Sequence, residues 1–174
     1  MLRIFTTQLT GSTRALLEKQ EEEIEDAARL LAQALTSDGT VYIAAFGEMK
    51  SIEAEALYGK DAFPQMATFH ELDSLTEQDR VIITTRHSGD PDAVQLATQL
   101  SKQHVPILSI TTVTDDEGDS LVNLSDVLIN INAHNGLVPT DDGSRIGYPA
   151  SILGLHAYFC LYLTVKDILM EMDE

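Results

Sequence analysis

Residues 85–91, TRHSGDP, bring a guanidinium, an imidazole, a hydroxyl, a glycine and a carboxylate together within one short stretch. It follows an apolar run (RVIITT, 80–85) and precedes an apolar-periodic segment, so it reads as an elbow between a strand and a helix. Such elbows can hold an oxyanion, because the first N–H groups of the helix have no partner of their own. Arg86 offers a planar fork suited to phosphate, and Ser88 a hydroxyl, with the Ser88 and Gly89 N–H groups beside them. Against this, Asp90, Pro91 and Asp92 make a self-contained helix start: an acidic cap, a proline at the first position and an acid in the first turn. Those carboxylates can satisfy the helix terminus themselves and repel a phosphate. Both readings stay open on these residues alone.

A second elbow, FGEMKS at 46–51, follows the apolar run VYIAAF. Gly47 permits a tight turn, and Lys50 and Ser51 are donors. Proton abstraction beside a carbonyl needs a base and a donor for the developing oxyanion. Glu48, Glu71 and His87 are the candidate bases, and Lys50, Arg86 and Ser88 the candidate donors. The same glycine and serine also serve as ordinary connector residues.

Elements that position these loops follow from periodicity. A short helix precedes Gly11, and a long one, capped by Ser12, runs to about Thr36 with a stripe of Leu17, Ile24, Ala28, Leu31 and Leu35. Strands are expected at 41–46, 66–72, 80–85, 105–111 and 126–131, and helices at 49–59, 90–103 and 149–172, with a helical turn at 120–124. Strands alternate with helices and the central strands are apolar throughout, which indicates a parallel sheet covered on both faces. The fold class is α/β: a three-layer αβα sandwich with five parallel strands in the flavodoxin-like order 2-1-3-4-5, as one domain over 1–174. Ligands of such sheets collect where the winding reverses, here between the strands that feed the two elbows.

Composition narrows the partners. There are 11 Lys and Arg against 28 Asp and Glu, a formal charge of −17, which argues against nucleic acid and anionic lipid. The single cysteine, Cys160, lies in an apolar run and reads as a buried thiol in a reducing cytoplasm. The opening residues lack a signal peptide's pattern, and the apolar run 152–165 is too short to span a bilayer, so no membrane partner is expected. No cofactor is expected. His70, Glu71, His87 and His134 have no metal-ligand spacing, and the acid clusters DDEGD and PTDD no calcium-loop spacing.

A long helix, a strand ending in G-x-x-x-S at Gly47 and Ser51, and a later strand ending in S-G at Ser88 and Gly89 resemble the sugar isomerase (SIS) family, which includes phosphoheptose isomerases. The likeness runs from about Ser12 to Met172 and extends to an uncharacterised SIS-like family of Bacillales. It implies that Gly47 and Ser51 lie on a first phosphosugar loop, and Ser88 and Gly89 on a second that usually reads S-x-S-G-x-S/T. Here Arg86 and Pro91 replace two of its hydroxyls, and Arg86 is expected to compensate by ion pairing. Where phosphoheptose isomerases place a metal-binding histidine and glutamate, this chain has Leu57 and Asp61. The resemblance also implies a homodimer or homotetramer in which a neighbouring subunit completes the pocket. Residues 134–151, a long loop, then read either as a lid or a partner's wall with Arg145, Tyr148 and Ser151 as ligand contacts, or equally as a plain lead into the final helix. The functional expectation is binding of a small anionic sugar derivative, ahead of aldose–ketose isomerisation, ahead of a degenerate scaffold.

Overall fold

The structure, a computed structural model, describes residues 1–63, 65–72, 75–114 and 118–172. Its main sheet is parallel, with strands β1 (Val41–Ala45), β2 (Met66–Thr68), β3 (Arg80–His87), β4 (Ile107–Thr112) and β5 (Val127–Asn130) in the order β2-β1-β3-β4-β5. That is the expected order. Helices α1 (Leu2–Leu35), α2 (Lys50–Tyr58) and α5 (Ala150–Met172) cover one face, packing on Val41, Ile43, Ile82, Leu108, Ile110 and Ile129. Helices α3 (Pro91–Lys102) and α4 (Leu121–Leu124) cover the other, over Val81, Ile83 and Ile107. β3 and β4 are buried on both faces, which is why they read as unbroken apolar runs.

Two expectations about the amino-terminal helices are corrected. Gly11 does not end a helix and Ser12 caps nothing, since α1 is a single element of 34 residues. Thr6, Thr10 and Thr13 turn their hydroxyls back to the carbonyls of Leu2, Thr6 and Thr10 at 3.0, 2.8 and 3.0 Å, so these polar side chains are satisfied without leaving the helix. The helix kinks at Gln20 (φ −120°, ψ 16°), and Gln20 Oε1 accepts from the Asn130 N–H of β5 at 2.6 Å. The kink shifts the buried stripe by one residue: Leu16 is buried and Leu17 is exposed, while Ile24, Ala28 and Leu31 are buried as expected.

At 23 residues α5 is long and apolar enough to cross a membrane, contrary to the shorter estimate from the sequence. It packs instead as a core helix, with Leu153, Ala157, Tyr158, Leu161 and Val165 buried against the sheet and α1. Gly154 leaves room for two side chains at the start of α2: a Cβ there would lie 2.6 Å from Cε of Met49, just before the helix, and 2.7 Å from Cδ1 of Ile52 in its first turn. The loop expected at 134–151 contains an antiparallel ribbon of β6 (Val138–Pro139) and β7 (Arg145–Ile146). Three of the five residues in DDEGD lie outside the described residues.

Candidate functional site

The carboxyl ends of β1 and β3 meet as expected, and a local irregularity decides what they present. Between Thr84 and His87 β3 advances three residues while β4 advances two, from Ile110 to Thr112. This bulge bends the strand end and re-aims its side chains. Arg86 emerges exposed, and its Nε donates to Glu48 Oε1 at 2.6 Å, joining the two elbows directly. Below it lies the ring of Tyr148, with the guanidinium carbon 5.1 Å from the ring centroid. Tyr148 is fixed in turn by a hydrogen bond from its hydroxyl to the Ala133 carbonyl. Arg86 is therefore clamped through one nitrogen and one face. Its two terminal nitrogens make no hydrogen bond to a described residue.

Gly47 makes the first elbow possible. Its φ of +57° lies in the left-handed region, which residues with a Cβ rarely adopt. The following 3-10 turn, Gly47–Met49, places Glu48 over β3. A hydroxyl chain anchors that turn from behind: Ser151 Oγ donates to the Glu48 carbonyl at 3.1 Å and meets Ser51 Oγ at 3.0 Å. Ser51 and Ser151 thus tie α2 to α5.

Ser88 faces inward and is fully buried. Its N–H donates to Thr112 O at 2.9 Å, and its Oγ accepts from Thr114 N at 3.0 Å and pairs with Thr114 Oγ1 at 3.1 Å. Gly89 continues the turn into α3. Asp90 closes that helix start as the residue types allowed: Oδ1 accepts from Asp92 N and Ala93 N at 3.1 and 3.2 Å, and Oδ2 from the buried Thr85 hydroxyl at 3.0 Å. A carboxylate already occupies the place an anion would take. What remains is a cleft of about 190 Å³ lined by Phe46, Gly47, Glu48, Thr85, Arg86, His87 and Asp90.

The structure brings together Gly47, Glu48, Arg86, His87 and Tyr148. It does not bring Lys50, Glu71 or Arg145 into the cleft. Lys50 is exposed on the first turn of α2, and Glu71 is exposed on the segment after the edge strand β2. Arg145 donates to the carbonyls of Gly136 and Leu137 at 2.6 and 3.1 Å, pinning the ribbon. Among the described residues no group of three or more His, Cys, Asp or Glu could hold a metal ion. Thr85 and Thr114, which secure Asp90 and Ser88, were missed by sequence reasoning. Thr114 lies 26 residues from Ser88, and no local pattern links them.

Electrostatics distinguish the candidate bases. The hydrogen bond from Arg86 holds the Glu48 carboxyl below its ordinary value of 4.5, and Glu48 raises Arg86 reciprocally. A depressed pKa makes Glu48 a poor proton acceptor near neutrality and a good anchor. His87 borders the cleft with its Nδ1 buried and unbonded among the described residues. The sign of the Glu48 shift sets a pH dependence: the ion pair's contribution is complete above Glu48's unfolded pKa and is lost as pH falls through its depressed folded one. A carboxyl NMR titration is expected to place the Glu48 midpoint below 4.5, and Arg86→Ala to return it to the ordinary range.

The sequence profile of a domain of unknown function, DUF2529, matches residues 1–169. The chain belongs to the DUF2529 family. Within reach of this DUF2529 chain is the uncharacterized protein YwjG of Bacillus subtilis (strain 168), 35% identical over 172 residues, covering 98% of this chain and 99% of that one. Among solved structures, phosphoheptose isomerase GmhA from Neisseria gonorrhoeae superposes with a TM-score of 0.66 at 12% identity, covering 95% of this chain and 97% of that one. The Vibrio vulnificus NanR protein complexed with ManNAc-6P superposes with a TM-score of 0.69 at 14% identity, over 98% of this chain and 62% of that one. At such identities the likeness is one of fold: this DUF2529 protein has the SIS fold.

Proposed function

We propose that this protein binds the phosphate end of a small sugar derivative at the Arg86 cleft, as a cytoplasmic binding or regulatory module. The observation that carries the reading is the presentation of Arg86. Glu48 holds Nε and Tyr148 supports one face, so the two terminal nitrogens are preorganised as a fork for an oxyanion. A cleft of about 190 Å³ has room for a phosphoryl head, with the sugar extending outward. The NanR structure, of the same fold, holds a phosphosugar.

Isothermal titration with a panel of hexose, heptose and amino-sugar phosphates, alongside their parent sugars, tests the reading. One or more phosphates are expected to bind while the parent sugar does not bind at this cleft. Arg86→Ala is expected to weaken that binding about tenfold to a hundredfold, the range for one or two hydrogen bonds to a charged group. Equal affinity in Arg86→Ala sinks the proposal.

Isomerisation is the second reading, favoured by the unbonded His87 Nδ1 beside the cleft. It requires solvent deuterium to enter the substrate and His87→Gln to abolish that exchange. Assembly as a homodimer or homotetramer is supported by apolar side chains left exposed on two neighbouring helices, Leu2 and Ile4 on α1 and Ile152 and Leu163 on α5. Sedimentation velocity is expected to give a mass of two or four chains.

A further inference from the structure

Away from the Arg86 cleft, β2 stops short of its neighbour. It pairs with β1 only from Val41 to Ile43, and the last bond across the pair is Phe69 N–H to Ile43 O at 2.9 Å. Peptide groups alternate sides along a strand, so the N–H and C=O of Ala45 point the same way as those of Val41 and Ile43, past the end of β2. They make no hydrogen bond to a described residue on that side. The result is a notch of about 450 Å³ with a strand edge as its floor. Half-buried Phe46 and Phe69 supply aromatic surface. Asp92, Gln95 and Gln99, spaced three and four apart on one face of α3, line one side. Lys50 and Glu53, one turn apart on α2, line the other.

None of these five polar side chains makes a hydrogen bond to a described residue, so all are available to a ligand. Their charge balance is one ammonium against two carboxylates, in a chain of net charge −17, which disfavours an anion. One open peptide step is too short a template for an added strand. Amide groups that both donate and accept, carboxylates that accept and an ammonium that donates match a molecule dense in hydroxyls. The phenyl rings suit the C–H face of such a molecule. We infer that the notch between α2 and α3 is a second binding site, for an uncharged polyhydroxylated compound such as a sugar or sugar alcohol, separate from the Arg86 cleft.

Amide NMR of the full chain, titrated in parallel with mannose, glucitol and inorganic phosphate, tests this. At least one neutral probe is expected to shift the Ala45 amide and the Gln95 and Gln99 side-chain amides, which line the notch and not the Arg86 cleft. The double variant Gln95→Ala/Gln99→Ala, at exposed helical positions where alanine is well tolerated, is expected to weaken that binding at least about tenfold. The inference is overturned if both neutral probes leave these signals in place at high millimolar concentration. It is equally overturned if the double variant binds them unchanged, or if phosphate shifts the notch as much as they do. Phosphate that fails to shift the Arg86 loop counts against the cleft proposal alone, so the two sites fail separately.

Discussion

Replacing Asp79 with alanine is expected to destabilise the protein by about 3 kcal/mol, because it removes three hydrogen bonds accepted by a buried carboxylate at the junction before β1 and β3. Asp79 is 5% exposed. Its Oδ1 accepts from Thr40 N at 2.7 Å, and its Oδ2 accepts from Thr76 N at 2.7 Å and the Thr76 hydroxyl at 2.9 Å. Truncation leaves the half-buried Thr40 N–H without its partner beside a crowded turn, where a Cβ on neighbouring Gly39 would lie 2.2 Å from the Gln78 carbonyl oxygen, while the Thr76 N–H, on an exposed residue, turns to water. Urea unfolding at neutral pH should show the midpoint falling with an unchanged slope. Asp79→Asn should lose only part of the stability, since its amide oxygen can still accept one bond. A loss below about 1 kcal/mol for the alanine variant would mean that water satisfies these donors.

Asp90→Ala is expected to be the next most damaging change, at about 2 kcal/mol. About half of this is the lost helix cap and the rest the buried Thr85 hydroxyl left without its acceptor. Asp90→Ser separates stability from charge. Serine still caps α3, so about half of the alanine variant's loss should be recovered, while the Thr85 hydroxyl stays without its acceptor and the carboxylate that repels anions beside Arg86 is gone. Phosphate affinity at the cleft is then expected to rise several-fold, read by isothermal titration beside the Arg86→Ala variant. Unchanged affinity in Asp90→Ser would show that the α3 terminus and the Arg86 fork do not act on a common ligand.

Much of this architecture was legible in the residues because the signals were local. The unbroken apolar runs at β3 and β4 report burial on both faces, and Asp90 with Pro91 marks the start of α3 to the residue. Gly47 likewise identified its turn. The misreadings arose where tertiary partners override local preference. Gly11 is tolerated inside α1, and the kink that exchanges Leu17 for Leu16 depends on Asn130, 110 residues from Gln20. The partner of the Ser51 hydroxyl is Ser151, 100 residues away, a pairing that no local pattern shows. The bulge that turns Arg86 outward had no sequence signal, since it exists only as a mismatch with β4. Arg86 and Glu48 were both singled out, but their pairing follows from the fold.

The bond from Asn130 to Gln20 also bears on solubility. Asn130 N–H points away from β4, at the open margin of the sheet, where a free donor invites another chain to dock backbone to backbone. By sacrificing regular helix geometry at one residue, the amide of Gln20 covers that invitation from within. A chain with alanine there should fold, yet clump sooner on concentration or mild heating.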